Sequence, residues 1–275
     1  PRSTPLYSSA ASDVYKRQVL ENRLKKRLLK GEFQVGTWIN LIRNPSSLTL
    51  FKESGLDFVR IDMEHSGPSV ETVAAFASLG RALDFPVMVR PPEANREWIT
   101  RLLDLGIYNL HCPQIETPDQ AIEIVKASRY FPQGLRGMGG ASPANDFDIS
   151  MPMKDRLKFS NDQIFITVMF ESAQGLRNID EITAIDGIDA ITLGYQDLAQ
   201  DLGVLGKPEQ DDVLNQKRDL VIAAAKKHGK ACAMMVNSVE QANHWRDQGV
   251  MLINYTSEVD ILLSGYRDVL AQIRK

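Results

Sequence analysis

Residues 164–194, IFITVMFESAQGLRNIDEITAIDGIDAITLG, hold two short apolar runs separated by a segment long enough for a helix. Runs that are apolar at nearly every position are typical of strands buried on both faces of a parallel sheet. The same unit recurs along the chain from Gly36 onward. The candidate strands are VGTWIN (35–40), DFVRIDM (57–63), PVMVR (86–90), YNLHCP (108–113), IFITVMF (164–170), IDAITLG (188–194), KACAMMV (230–236) and VMLINY (250–255).

Helix signals lie between these strands. Thr117-Pro118-Asp119-Gln120 combines a capping threonine, a proline at the first helical position and a glutamine at the third. Asn95 and Ser238 stand where N-caps are expected, ahead of REWITRLLDLG (96–106) and EQANHWRDQG (240–249). Further helices are predicted at about 45–54 and at 71–83, whereas about 129–160 lacks clear periodicity and is expected to be a long loop.

Eight strands, each followed by a helix, predict an α/β fold of the (β/α)₈ TIM-barrel type, at a length close to the ~250 residues typical of it. An open doubly wound sheet is the alternative, but it would usually carry a glycine-rich turn where Leu41–Pro45 follows the first strand. Residues 20–31 predict an extra N-terminal helix that caps the barrel or contacts a partner. Residues 1–18 are interpreted as a non-native or disordered tail, and 19–275 as one barrel domain.

Composition narrows the function classes. The 275 residues are 43% hydrophobic and carry a net charge of −3, which favours a globular protein without the basic face of a nucleic-acid binder. No apolar run reaches the ~18 residues of a membrane span. Cys112 and Cys232 lie in apolar runs and are expected to be buried thiols. We therefore expect a cytoplasmic protein.

Polar residues stand at the ends of four predicted strands. His65, Arg90, Glu171 and Asp197 follow strands two, three, five and six. The carboxyl ends of barrel strands share one rim, where barrel enzymes place their active sites. Singly, each has a structural interpretation, such as a helix cap for Glu171 or a salt bridge for Arg90. Together they predict an active site.

The side chains suggest roles. Glu171 and Asp197 suit Mg²⁺ or Mn²⁺, with Co²⁺ a further candidate, whereas zinc is less favoured because no pair of His or Cys has ligand spacing. Arg90 can bind a carboxylate or a developing enolate oxygen. His65 is the natural proton carrier near neutral pH. Asp104, late in its helix, is expected to reach the same rim and orient an imidazole.

Seven strings in sequence order resemble one known family. The chain is similar, over roughly residues 20–275, to the metal-dependent pyruvate aldolases of the HpcH/HpaI family, which include the class II hydroxy-oxo-heptanedioate and dehydro-deoxy-glucarate aldolases. The strings are GTWINL (36–41), GLDFVRIDMEHS (55–66), VMVRPP (87–92), RLLDLG (101–106), RYFPQGLRGMGG (129–140), MFESAQG (169–175) and GYQDLAQDLG (194–203).

The resemblance implies a (β/α)₈ barrel that assembles as a hexamer, a trimer of dimers, with the last helix exchanged between neighbours. It implies a divalent metal on Glu171 and Asp197 and a pyruvate chelating that metal, and it requires no lysine Schiff base. Arg90 would meet the keto oxygen, and His65 with Asp104 would move the proton. The remaining substrate-binding candidates are Gly194, Tyr195, Gln196 and Trp38.

Two positions depart from the family pattern. Tyr195 stands where a proline is frequent, and Met169 stands where some members carry glutamine. Neither is a predicted metal ligand, so both bear on substrate choice.

The leading hypothesis is an aldehyde-lyase that reversibly cleaves a 4-hydroxy-2-oxo acid to pyruvate and an aldehyde. A carbon–carbon lyase acting on acyl-CoA thioesters, similar to the citrate-lyase-β and malyl-CoA-lyase branch, is the alternative enzyme. A non-catalytic relative that binds an oxo acid is the alternative from another class. The expected partners are small molecules and other copies of the chain, with no nucleic acid and no membrane.

Overall fold

The computed structural model describes residues 20–148 and 150–275, in which eight parallel strands close into one barrel in chain order. The prediction for residues 1–18 lies outside the described residues. The strands are β1 (Gln34–Ile39), β2 (Phe58–Asp62), β3 (Val87–Arg90), β4 (Asn109–Cys112), β5 (Phe165–Phe170), β6 (Ala190–Leu193), β7 (Ala231–Val236) and β8 (Leu252–Ser257).

The helices follow the strands around the outside. They are α1 (Arg23–Leu29), α2 (Ser47–Glu53), α3 (Val70–Ala82), α4 (Arg96–Asp104), α5 (Pro118–Ser128), α6 (Met153–Gln163), α7 (Ala173–Arg177), α8 (Ile179–Thr183), α9 (Tyr195–Asp201), α10 (Gln210–Lys227), α11 (Val239–Asp247) and α12 (Glu258–Ile273). Because β8 pairs in parallel with β1, the sheet is closed and the open-sheet alternative is wrong. The predicted (β/α)₈ barrel is confirmed.

Two apolar regions hold the barrel together. The larger lies between the strands and the surrounding helices, and all six residues of β5 are buried because one face meets helices and the other faces the interior. The smaller lies inside the barrel near its amino end, where Phe58, Met88 and Phe165 contact Leu24 of α1. Burial on both faces explains why the strands read as continuous apolar runs.

Helix α1 closes the amino end of the barrel, one of the two roles expected for residues 20–31. Leu24 is fully buried there, and the Asn22 side-chain amide donates to Asn109 Oδ1 at 2.8 Å and to the Gln163 carbonyl at 2.7 Å. These contacts join the N-terminal segment to β4 and to the end of α6.

The three predicted helix N-caps are formed in the structure. Thr117 and Gln120 form a reciprocal capping box, and Asn95 and Ser238 cap α4 and α11 through their side chains. The expected loop at about 129–160 is wrong over α6. That helix, MKDRLKFSNDQ, is largely polar and buries only Asn161, so its sequence carries little hydrophobic period.

Helix α12 projects an apolar stripe into solvent. Its first residue, Glu258, is buried and accepts hydrogen bonds from the backbone N–H groups of Asn40, Leu41 and Ile42, which ties the helix to the end of β1. Beyond it, Leu262, Tyr266 and Ile273 are 47%, 69% and 74% exposed. Within the described residues, no helix combines the length and apolarity that crossing a membrane requires.

Candidate active site

The carboxyl ends of β2, β3, β5 and β6 bring four predicted site residues to one cavity. His65, Arg90, Glu171 and Asp197 line a space of about 370 Å³ that opens at this rim. Each follows or ends a strand, so the parallel arrangement of the barrel places all four at the same end. Trp38 lines the cavity from β1.

Arg90 is held by two carboxylates from the end of β2. Its Nε and Nη2 donate to the two Asp62 oxygens at 2.9 and 2.8 Å, and its Nη1 lies 3.0 Å from Glu64 Oε2. Burial acts to raise the pKa of Asp62, but the hydrogen bonds and charge of Arg90 hold it below its ordinary value. Burial raises the pKa of Glu64, against the opposing charges of Arg90 and His65. The guanidinium is therefore fixed in orientation.

Glu171 is a buried carboxylate. Its Oε1 accepts a hydrogen bond from the Gln114 backbone N–H at 2.6 Å. Burial, together with the like charges of Glu64 and Asp197, raises the pKa of Glu171 to about 7 despite that hydrogen bond. The backbone at Gly194 passes so close that an added Cβ would lie 2.7 Å from the Glu171 Cβ. Only glycine fits between Glu171 and the start of α9.

His65 lies between two acidic groups at the mouth of the cavity. Its Nε2 is 3.7 Å from Glu64 Oε2 and 4.0 Å from Asp197 Oδ2, and its side chain is 56% exposed. It is thus close to the buried Glu64 carboxylate and also open to solvent, as proton exchange requires.

The donor set fits a hard divalent cation. Within the described ranges, no group of three His, Cys, Asp or Glu side chains is arranged to hold a metal ion. Glu171 and Asp197 line the same cavity, and the second is 52% exposed. Two carboxylates with open positions suit Mg²⁺ or Mn²⁺, which retain waters and bind substrate directly. Burial is the main cause of the raised pKa of Glu171, and the like charges of Glu64 and Asp197 add to it; a bound cation would relieve that added repulsion.

The remaining substrate-binding candidates lie on the cavity wall. Gly194, Tyr195 and Gln196 line it at the start of α9, and Met169 lines it from β5. The buried Trp38 ring has the Arg90 guanidinium carbon 4.6 Å from its centroid. The first N–H groups of α9 have no acceptor within that helix, since a helix cannot satisfy its own first turn.

Asp104 does not reach the rim of its own chain. The prediction that it orients the His65 imidazole there is therefore wrong for a single chain. It is the last residue of α4, which runs antiparallel to the strands and ends where β4 begins. Asp104 therefore lies at the amino end of the barrel, opposite His65. There its Oδ1 accepts from Arg136 Nη2 at 2.6 Å.

Sequence reasoning missed three residues of the site. Asp62 and Glu64 stand in the same string as His65, and their spacing from the strand end was the available signal. Gln114 contributes its backbone N–H to Glu171 and its side-chain amide to Glu64 Oε1 at 2.9 Å. It follows β4 directly and has a positive φ of 54°, which the sequence does not reveal.

The chain is similar in sequence to known proteins of one family. The profile of the family described as HpcH/HpaI aldolase/citrate lyase matches residues 34–264. A hydroxypyruvate/pyruvate aldolase of Deinococcus radiodurans is 33% identical over 93% of this chain and 91% of its own length. A 5-keto-4-deoxy-D-glucarate aldolase of Citrobacter koseri is 31% identical over 94% of this chain and 98% of its own length.

The fold agrees as well. The crystal structure of an HpcH/HpaI aldolase from Desulfitobacterium hafniense superposes with a TM-score of 0.86 at 27% identity, covering 92% of this chain and 96% of that one. The family match and the aldolase relatives together define a barrel enzyme of the carbon–carbon lyase class. The chain belongs to the HpcH/HpaI aldolase/citrate lyase family, which confirms the resemblance seen in its motifs.

Proposed function

We propose that this protein is a divalent-metal-dependent aldolase that reversibly cleaves a 4-hydroxy-2-oxo acid to pyruvate and an aldehyde. The observation that carries the proposal is that Glu171 and Asp197 line one cavity together with Arg90, whose guanidinium is fixed by Asp62 and Glu64. A site of this kind stabilises negative charge that develops on an oxygen. The names of the two aldolase relatives support the same reaction class.

Glu171 and Asp197 are the residues that would hold the metal, with Mg²⁺ or Mn²⁺ favoured by their oxygen ligands. The cation, when bound, supplies the positive charge that makes a 2-oxo acid easier to convert to its enolate. The substrate carboxylate is expected at the first N–H groups of α9, in the turn Gly194–Asp197, because a helix amino end attracts anions.

Arg90 would hydrogen-bond the keto oxygen and stabilise it as it becomes an enolate oxygen. Asp62 and Glu64 hold its guanidinium before substrate arrives, so little reorganisation is needed at the reacting centre. Asp62 is thus a positioning residue that acts through Arg90.

His65 would move the proton. In the cleavage direction it takes the proton of the 4-hydroxyl group, the C3–C4 bond breaks, and its electron pair forms the enolate while the aldehyde leaves. The enolate carbon then takes a proton to give the methyl group of pyruvate. The partial exposure of the His65 ring allows that proton to exchange with solvent.

An oligomer is part of the proposal. The apolar stripe of α12 is exposed in the single chain, and exposed apolar surface of this kind marks protein–protein contacts. A hexamer in which α12 packs on a neighbouring subunit would bury it. Asp104, which does not reach the rim of its own chain, has no role there in this proposal.

The experiment that tests the proposal is exchange of the pyruvate methyl protons in D₂O, followed by NMR. Exchange reports enolate formation without an aldehyde. We expect it with Mg²⁺ or Mn²⁺ and not with EDTA, and expect Glu171→Gln to abolish it. Equal exchange with EDTA, or in Glu171→Gln stripped of metal, would reject the proposed site.

A further inference from the structure

The interior of the barrel is polar directly beneath the rim. Barrel interiors are usually filled by branched aliphatic residues. Here Phe58 on β2 and Phe165 on β5 are apolar interior residues near the amino end, but two residues further along these two strands stand Arg60 and Thr167. This polar layer comprises Trp38, Arg60, His111, Thr167, Thr192 and Asn254, all buried.

Arg60 is the charged member of the polar layer. It is 2% exposed, lines the floor of the cavity, and its guanidinium carbon lies 4.9 Å from the centroid of the Trp38 ring. Its Nε donates to Met88 Sδ at 3.2 Å, and among the described residues its Nη2 has no hydrogen-bond partner. Burial lowers the pKa of Arg60 to about 9. A buried cation without a bonded counter-ion is costly, so a ligand that supplies one would bind favourably.

Two other members of the polar layer, His111 and Thr167, add hydrogen-bond donors. Within the described part of the chain, both ring nitrogens of His111 and the Thr167 hydroxyl are buried without partners. Burial, with the charges of Arg60 and Arg90, keeps the pKa of His111 well below its ordinary value, so the ring is neutral and has one N–H to donate.

The local carboxylate is already engaged. Asp62, two residues beyond Arg60 on β2, accepts hydrogen bonds from Arg90 at both of its carboxylate oxygens. Other members of the polar layer pair with one another: in the amide orientation that satisfies both residues, Asn254 accepts from Trp38 Nε1 at 3.0 Å. Among the described residues, Arg60 and His111, whose pKa the Arg60 charge helps to lower, therefore keep donors that no protein group accepts.

We infer that Arg60, with Thr192 lining the same cavity, forms a second anion subsite that receives the second carboxylate of a 2-oxo or 2-hydroxy dicarboxylate held at the rim. A guanidinium presents a planar set of donors that matches a carboxylate. Two residues along a strand span ~6.7 Å, so one small diacid can reach both levels. The inference rests on the proposed function, in that the rim binds the first carboxylate and the 2-oxygen.

The test compares malate with lactate, which differ in the second carboxylate, by calorimetric titration of the full chain with Mn²⁺ present. We expect wild type to bind malate at least tenfold more tightly than lactate. Arg60→Leu should lose at least tenfold in malate affinity and leave lactate affinity within twofold. Arg246→Leu, which removes an exposed arginine on α11, should change neither.

Unchanged malate preference in folded Arg60→Leu would overturn the inference and leave Arg60 a structural partner of Trp38. Loss of affinity for glycerate but not for malate would also overturn it, since the floor would then bind a hydroxyl group. If Arg60→Leu does not fold, Thr192→Val decides, with about a fivefold smaller malate preference expected for one lost hydrogen bond.

The test of the subsite is independent of the test of the aldolase reaction, because malate binding requires no turnover. Metal-dependent pyruvate release without a preference for malate would reject the proposed subsite alone. A preference for malate without pyruvate release would reject the proposed aldolase reaction alone.

Discussion

Arg90 donates to both carboxylate oxygens of Asp62, at 2.9 and 2.8 Å, and both side chains are buried at the end of neighbouring strands. This pair fixes the guanidinium of Arg90, which lines the cavity together with Glu171 and Asp197. A bidentate pair sets orientation as well as charge. The function of Arg90 therefore depends on Asp62.

Asp62→Asn is expected to lower kcat/KM about 100-fold, since a small displacement of a positioning group can have that effect. The main loss should be in kcat, because the contact of Arg90 strengthens as the enolate forms. Steady-state kinetics measure it, with Asp119→Asn on the exposed start of α5 as control. Wild-type kinetics in folded Asp62→Asn would show that Arg90 does not need its partner.

Glu171 predicts a pH dependence of stability in the metal-free protein. Its pKa is about 7 in the folded state against an ordinary value of 4.5, so the folded protein holds this proton more tightly than the unfolded chain. The corresponding stability, on the order of 3 kcal/mol, is fully present below pH ~4.5 and is lost as the pH rises to ~7.

Glu171→Gln removes that titration, so its free energy of unfolding should rise relative to wild type between pH 5 and pH 8. Urea unfolding in EDTA at both values measures the difference, with the exposed Glu97→Gln as control. A constant difference between wild type and Glu171→Gln would contradict the raised pKa.

Gly194→Ala tests the close approach of the backbone after β6 to Glu171, a proposed metal ligand. A methyl group there would lie 2.7 Å from the Glu171 Cβ and 3.0 Å from Met169 Sδ, so the carboxylate must move. We expect at least a tenfold loss of Mn²⁺ affinity by calorimetry, while the fold persists by circular dichroism. Gly139→Ala, whose added methyl group would meet no atom within 4 Å, should bind Mn²⁺ normally. Equal affinities would show that Glu171 is not a ligand.

The exposed stripe of α12 predicts a change of assembly. Leu262→Glu with Tyr266→Glu places two charges on residues that are 47% and 69% exposed in the single chain. If neighbouring subunits cover them, light scattering after size exclusion should show a smaller species than wild type. Arg267→Gln, a polar change on the same helix, should retain the wild-type mass. An unchanged mass in the double variant would show that this face of α12 is not part of a subunit interface.

Much of the fold could be predicted because each barrel strand is buried on both faces. That burial gives β5 its unbroken apolar run, and the capping box at Thr117 marks the start of α5 directly. Helix α6 could not be predicted in the same way, because it buries almost nothing and carries little period. Arg90 and Glu171 could be predicted as site residues because the apolar runs also mark where β3 and β5 end.

The finer parts of the site depend on side-chain contacts. The Asp62–Arg90 pair joins residues 28 positions apart in the chain. Gln114 donates to Glu171 through its backbone N–H, and a backbone contact cannot be predicted from the residue type. The prediction that Asp104 reaches the rim was wrong for a topological reason. The carboxyl end of a barrel helix lies opposite the carboxyl end of the strand before it, so a residue late in α4 cannot meet His65 in the same chain.

The most direct measurement is pyruvate release from a 4-hydroxy-2-oxo diacid by protein that begins at Val19, with Mg²⁺ or Mn²⁺ and again with EDTA. We expect release with metal, its loss with EDTA, and its loss in both Glu171→Gln and Asp197→Asn. Release that persists with EDTA would contradict metal-dependent aldol cleavage. No release with any metal, together with cleavage of an acyl-CoA thioester, would assign the chain to the other branch of lyases.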